Sequence, residues 1–242
     1  MHIDVQPSPR AVAREAARLI ADAVADRPSL AIALPTGQTP LPLYRELIVS
    51  YAQSKIDFSQ VSFFNLDEFV GLGHTHAASY HAFLKHHLLD PLGIRANQIF
   101  TIRGDARDSV AEAARYEQAI AKRGGIDIAV LGIGANGHIG FNEPARHLHP
   151  RTHLLTLAPA TRRANAWLFG DRLRDVPRQA ISMGVATILS ARGVLLIATG
   201  AAKAPIVHRA IQGPVTTSVP ASLVQLHPDA IVLLDKAAAS RL

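Results

Sequence analysis

The chain has 242 residues, of which 48% are hydrophobic and 18% charged, and this balance excludes a disordered chain. It contains no cysteine, which excludes a disulfide framework, a thiolate metal site and a cysteine nucleophile. The formal net charge is +6, but the positive charges are scattered and only 5% of residues are aromatic, so we expect no nucleic-acid partner. No apolar run approaches the ~20 residues of a membrane-spanning helix. We therefore expect no membrane association and a cytoplasmic location.

Helical patterns and short apolar runs alternate along the chain. The first helix is predicted over 9–25, with Ser8 as N-cap and Pro9 at the first helical position. Further helices are predicted over 40–50, 79–89, 109–122, 160–168 and 202–211. Strands are predicted over 30–34, 61–66, 126–131, 194–199 and 230–234.

The predicted strands are continuously apolar rather than alternating, which is typical of a parallel sheet covered on both faces. Strands that alternate with helices favour an α/β architecture with right-handed crossovers. No linker, repeat or low-complexity tract interrupts the pattern. We therefore predict a single-domain, Rossmann-like layered α/β fold over 1–242, with a mostly parallel central sheet flanked by helices.

Ligands of such folds bind outside the carboxyl ends of the strands. Three segments at such positions are dense in polar or glycine residues: 35–40, 65–69 and 132–144. In the first, Gly37 can form a tight turn and the hydroxyls of Thr36 and Thr39 lie where a helix begins, an arrangement that can bind an anion. Lys203 could add a cation. The alternatives are an ordinary strand–turn–helix connection and a solvated helix residue.

In the second segment, Asp67 and Glu68 close the predicted strand over 61–66. A carboxylate held partly out of water becomes more basic, so one of the two could serve as a general base. Alternatively, both cap the next turn or pair with arginine.

The third segment combines four glycines with His138, Glu143 and Asn136. A histidine beside a carboxylate is the usual arrangement for moving a proton near neutral pH. The alternative is a glycine-rich turn whose histidine bonds a backbone carbonyl. The other histidines form no metal-binding pattern, and no Gly-x-Ser-x-Gly nucleophile is present, so we expect neither a metal site nor serine hydrolase chemistry.

Taken together, several motifs resemble the glucosamine-6-phosphate deaminase/isomerase family over most of the chain. They are LPTGQTP (34–40), NLDEFVGL (65–72), SYHAFL (79–84), GIGANGHIGFNEP (132–144), ATGAAKA (198–204) and PASLVQLH (220–227). The related 6-phosphogluconolactonases share the Gly-His core, but IGFNEP after His138 is similar to the deaminase branch.

The resemblance implies ring opening of an amino-sugar phosphate, aldose-to-ketose isomerisation and loss of ammonia, with no metal or organic cofactor. It implies that Asp67 moves a proton between carbons 2 and 1, and that His138, oriented by Glu143, opens the ring. Asn136 lies where members carry Asp or Asn. The residues matching phosphate contacts are Thr36, Gly37, Gln38, Thr39 and Lys203. Alternatives are a galactosamine-6-phosphate deaminase, a sugar-phosphate lactonase or isomerase that does not deaminate, and a non-catalytic sugar-phosphate sensor.

Two departures from the family pattern stand out. Trp167 lies where the family usually has an arginine that holds the phosphate, and Arg162 or Arg163 could replace it. The stretch 151–155 lacks the basic residues of the allosteric hexameric members. We therefore expect no such allostery, and a monomer or small homo-oligomer that binds a small-molecule sugar phosphate.

Overall fold

A computed structural model describes all residues, 1–242. The strands are β1 (His2–Gln6), β2 (Ala31–Leu34), β3 (Ser62–Asn65), β4 (Asp67–Phe69), β5 (Ile99–Phe100), β6 (Ile128–Gly132), β7 (His153–Thr156), β8 (Gln179–Ser182), β9 (Gly193–Ala198) and β10 (Ala230–Asp235). The α-helices are α1 (Pro9–Asp26), α2 (Leu41–Ala52), α3 (Tyr80–Leu84), α4 (Ser109–Lys122), α5 (Pro159–Ala164), α6 (Val185–Leu189) and α7 (Ala204–Ile211).

Shorter helical turns complete the chain. A π-helical turn (Lys85–Leu89) continues α3. Turns of 3₁₀ helix cover Ala96–Gln98, Ala166–Phe169, Leu173–Asp175, Ala201–Lys203 and Pro220–Leu226. None of the helices combines the length and apolar character needed to cross a membrane.

Seven strands form a fully parallel sheet in the order β1-β10-β9-β6-β2-β3-β5. All five predicted strands lie in its centre, and the predicted α/β fold class is confirmed. The edge strands β1 and β5 were not predicted. β4, β8 and β7 form a second, antiparallel sheet.

Alternate residues of the central strands pack into two separate apolar layers. Val130 and Leu195 face a layer that contains the buried side of α1 and α2. Ala129 and Val194, their immediate neighbours along the strands, face a layer that contains residues of α4 and α7. Because both faces of the sheet are buried, these strands need apolar residues at every position, which explains the continuous apolar runs.

One sequence expectation was wrong in detail. Asp67 and Glu68 do not close the strand that was predicted over 61–66, because β3 ends at Asn65 and the two acids begin β4 in the second sheet. The Asn65 side chain stabilises the bend between the strands, since its Nδ2 donates to the backbone oxygen of Asp67 at 2.7 Å and its Oδ1 accepts from the Ile102 N–H at 3.1 Å.

Candidate active site

A cleft of about 300 Å³ opens at the carboxyl ends of β2, β6 and β9. Its walls include the predicted residues Thr36, Gly37, Gln38, Thr39, Asp67, His138 and Lys203. Two other cavities, of about 820 Å³ beside α4 and about 360 Å³ near the start of β6, contain none of these side chains. The three segments singled out in the sequence therefore meet at one place, and that place is at the strand ends.

One end of the cleft is suited to an anion. The loop 35–40 follows β2 and leads into α2, and Gly37 adopts a φ of +99°, which strains other residues. Lys203 is the only lysine or arginine that lines the cleft, and its Nζ donates to the Ile133 backbone oxygen at 2.7 Å. Burial lowers the pKa of Lys203, because its charged form loses contact with water. An anion bound beside the ammonium group would stabilise the charged form again.

Asp67 lies in the wall of the cleft and is only 5% exposed. Its carboxylate receives no hydrogen bond from the protein, and its Oδ2 lies close beside Gly140, two residues after His138. Burial raises the pKa of Asp67 well above its usual value, and the neighbouring charge of Glu68 raises it further. When ionised, this carboxylate is unusually basic and its lone pairs are free, which suits a general base.

Glu68, the next residue of β4, points to the other side of the strand and is fully buried. Its carboxylate accepts backbone hydrogen bonds from Phe69, Tyr80 and His81, each of 2.9 Å. Burial raises the pKa of Glu68 to about 7, although these three bonds act in the opposite direction. Glu68 therefore fastens the first turn of α3 to β4 and does not face the cleft.

His138 and Glu143 lie side by side, as the sequence predicted. The Nδ1 atom of His138 is 3.5 Å from Oε2 of Glu143. That same Oε2 accepts a hydrogen bond of 2.7 Å from Nδ2 of Asn136, while Oε1 accepts one from the Thr161 hydroxyl. Burial would raise the pKa of Glu143, but His138, Thr161 and Asn136 together outweigh it and lower this pKa to about 2. Glu143 is therefore a fixed negative charge beside the imidazole.

Asn136 also positions His138 from the backbone, because its Oδ1 accepts a 3.2 Å hydrogen bond from the His138 N–H. The loop is closed by a 2.9 Å bond from the Gly134 N–H to the His138 carbonyl. The imidazole ring lies directly over Gly134, where a Cβ would stand 2.3–2.4 Å from three ring atoms. This glycine is thus needed for the ring to occupy its place.

Several cleft residues were not predicted from the sequence. Tyr80 comes from α3, and its hydroxyl donates to Oδ1 of Asn165 at 2.7 Å. Thr161 and Asn165 come from α5 and the residue after it. For Tyr80 the only signal in the sequence was the SYHAFL motif. The segment that follows Thr161 was noted for Trp167 and the neighbouring arginines, but nothing in it indicated Thr161 or Asn165.

Trp167 lines the cleft, with its ring 6.2 Å from that of Phe83 in an edge-to-face arrangement. The suggestion that Arg162 or Arg163 takes the place of an arginine here is not supported. The Arg162 guanidinium donates to the backbone oxygens of Leu173, Val176 and Pro177. Arg163 is exposed and does not line the cleft.

The histidines outside the cleft form no metal site, since no three His, Asp or Glu side chains of the chain are arranged to hold one. His74 and His81 instead stack with ring centres 3.9 Å apart, and both contact the Thr101 hydroxyl.

The fold and the cleft define an α/β protein with a glycine-containing strand-to-helix loop, a buried carboxylate and a histidine–carboxylate pair around one small cavity. Residues 4–233 match the family model described as glucosamine-6-phosphate isomerases/6-phosphogluconolactonase. The chain belongs to this family, and the resemblance seen in its motifs is confirmed.

Its relatives and structural neighbours agree with this family. It is 45% identical to a glucosamine-6-phosphate deaminase of Cellvibrio japonicus (96% of this chain, 88% of the relative). It is 43% identical to one of Halothermothrix orenii, over 100% of both chains. A solved structure of a monomeric glucosamine-6-phosphate deaminase superposes with a TM-score of 0.96 at 38% identity, over 100% of both chains. A 6-phosphogluconolactonase from Trypanosoma cruzi (TM-score 0.77, 22% identity, 100% and 96% coverage) shares the fold.

Proposed function

We propose that the chain is a glucosamine-6-phosphate deaminase, which converts glucosamine 6-phosphate and water to fructose 6-phosphate and ammonia. The observation that carries this proposal is the convergence of Asp67 and the His138–Glu143 pair on one cleft whose other end holds Lys203. The deaminase names of relatives 43–45% identical over most or all of the chain support it. We further propose that a single domain, 1–242, acts as a monomer in the cytoplasm.

Ring opening requires a proton to leave the hydroxyl on carbon 1 and another to reach the ring oxygen as the bond between that oxygen and carbon 1 breaks. His138 can carry out both transfers, because Glu143 stays ionised and favours a proton on the Nδ1 that faces it. Nε2 then serves as the acceptor and, once protonated, as the donor.

Isomerisation requires a base at carbon 2 of the open chain. Asp67 removes that proton as the carbonyl oxygen on carbon 1 gains one from solvent, which gives an enolamine. Asp67 then returns its proton to carbon 1 and the nitrogen loses one to solvent, which leaves an imine at carbon 2. Water then hydrolyses the imine and releases ammonia. The raised pKa of Asp67 suits this role, since a more basic carboxylate abstracts a weakly acidic C–H proton more readily.

The phosphate would lie at the end of the cleft formed by the loop 36–39 and Lys203. Backbone amides before a helix and one ammonium group attract a dianion without a metal ion. Neither the proton transfers nor the phosphate binding assigned here needs a cofactor.

An ammonia-release assay tests the function. The purified chain, treated with a chelator, is incubated with glucosamine 6-phosphate, galactosamine 6-phosphate and, separately, 6-phosphogluconolactone. We expect ammonia and fructose 6-phosphate from glucosamine 6-phosphate. Release of ammonia from galactosamine 6-phosphate alone would assign that sugar, and not glucosamine 6-phosphate, as the substrate. Lactone hydrolysis with no ammonia from either amino sugar would overturn the proposal, and so would binding without turnover.

A further inference from the structure

Helix α5 lines the cleft with Thr161 and Ala164. Its third residue, Thr161, is 3% exposed and lies 18 residues after Glu143 in the chain. The Thr161 hydroxyl donates its hydrogen bond to Oε1 of Glu143. No motif and no pattern in the sequence indicated this contact.

The two oxygens of Glu143 have different partners. Oε1 is occupied by Thr161, whereas Oε2 accepts from Asn136 at 2.7 Å and faces Nδ1 of His138 at 3.5 Å. A carboxylate bound at one oxygen only could rotate about its last bond. Because Thr161 holds Oε1, the plane of the carboxylate is fixed and Oε2 is the oxygen presented to His138.

The imidazole depends on this orientation. Nδ1 of His138 is buried and has no hydrogen-bond partner in the free protein, so only a small approach of Glu143 Oε2 would complete the pair when the ring becomes charged. A threonine is suited to hold the carboxylate still, since its branched Cβ restricts the first side-chain torsion.

We propose that Thr161 is a positioning residue, which acts through Glu143 to orient His138 for opening of the sugar ring. This inference rests on the proposed function. It also assigns a role to α5, whose residues otherwise only line the cleft. A second bond, from the Tyr80 hydroxyl to Asn165, holds the end of the same helix.

The test uses three variants of the full chain. Thr161→Val keeps the shape of the side chain and removes the hydroxyl, while Thr161→Ser keeps the hydroxyl. Thr187→Val is the matched control, because Thr187 is also buried and donates to a glutamate, Glu117 Oε1 at 2.7 Å, but lies outside the cleft.

For Thr161→Val we expect kcat with glucosamine 6-phosphate to fall at least about tenfold, as loss of a hydrogen bond to a charged group implies, with KM changed less than about twofold. Thr161→Ser should recover most of kcat, and Thr187→Val should leave it unchanged. In a Glu143→Gln background, Thr161→Val should have little further effect, because the carboxylate it acts through is gone.

Unchanged kcat in Thr161→Val, or equal losses in the valine and serine variants, would overturn the inference. Additive losses in the Glu143→Gln background would do the same, since they would mean that Thr161 acts independently of Glu143. These outcomes all require a wild-type protein that releases ammonia, so they differ from failure of the proposed function, in which the wild type itself is inactive.

Discussion

Nδ1 of His138 lies 3.5 Å from Oε2 of Glu143 and is buried without a hydrogen-bond partner. A buried polar atom in this state costs free energy unless a nearby group compensates for it. The carboxylate that faces it belongs to Glu143, whose pKa is lowered to about 2 although burial acts to raise it. The pair is therefore arranged to gain its hydrogen bond when His138 becomes positively charged.

His138→Gln tests this role. The variant should slow turnover of the ring-closed sugar by about 10²–10⁴-fold, which is the usual contribution of a positioned acid–base group. An open-chain amino-sugar phosphate should be affected much less, because it needs no ring opening. Turnover of both substrates is measured beside His147→Gln, a substitution of an exposed histidine outside the cleft. Equal losses on the two substrates would contradict the assignment.

Asp67→Asn tests the base at carbon 2. Asparagine has nearly the same shape but cannot take up a proton, so we expect ammonia release to fall by at least about 10²-fold. The fold should remain intact, because the Asp67 carboxylate receives no hydrogen bond from the protein that the substitution would break. Ammonia release, circular dichroism and binding of the substrate are measured together. Turnover near that of the wild type would exclude Asp67 as the base.

We expect the difference in the free energy of unfolding between the wild type and Glu68→Gln to depend on pH. Burial raises the pKa of Glu68 from 4.5 to about 7, so its stabilising contribution is fully present below 4.5 and is lost as pH rises through about 7. Between pH 4.5 and 8, the free energy of unfolding of the wild type should fall by roughly 3 kcal/mol relative to that of the variant.

Denaturant unfolding of both proteins at several pH values measures this difference. The lost backbone hydrogen bonds add an offset that does not vary with pH, and the titrating histidines are common to both proteins and cancel. A difference in the free energy of unfolding that stays constant with pH would contradict the raised pKa of Glu68.

The sequence was sufficient for the centre of the fold and for locating the three segments, 35–40, 65–69 and 132–144, that meet at the cleft. Central parallel strands are buried on both faces, so their apolar runs stand out and the polar loops that follow them are easy to place. Glycine density around His138 had a physical reason too, because Gly134 leaves room for the imidazole.

The remaining elements left little local signal. β4 has three residues and β5 has two, too few for any periodicity, and the edge strand β1 is largely exposed. Thr161 and Asn165 are held at the cleft by hydrogen bonds to Glu143 and Tyr80, which are distant in the chain, and no neighbouring residues encode such contacts. The sequence shows that Trp167 replaces an arginine. It does not show that Arg162 donates its hydrogen bonds to backbone oxygens of the loop 173–177, because that loop is placed by the fold.

Lys203→Met tests the anion-binding end of the cleft. Lys203 is its only lysine or arginine, so we expect KM for glucosamine 6-phosphate to rise at least about tenfold, as for loss of a hydrogen bond to a charged group. Lys203→Arg should raise it less, and Lys236→Met, at an exposed position outside the cleft, should leave it unchanged. Inhibition by inorganic phosphate should weaken in parallel with KM in Lys203→Met. An unchanged KM would place the phosphate elsewhere.

Gly134→Ala tests the packing beneath the imidazole. A Cβ at this position would stand 2.3–2.4 Å from ring atoms of His138, so the ring must leave its present place beside Glu143. We expect kcat to fall by about tenfold or more, since small displacements of a catalytic group are costly. In a His138→Ala background the added methyl group meets no ring, so Gly134→Ala should then change the melting temperature and the residual activity little. A similar loss of activity in both backgrounds would mean that Gly134 acts through the loop backbone and not through the position of His138.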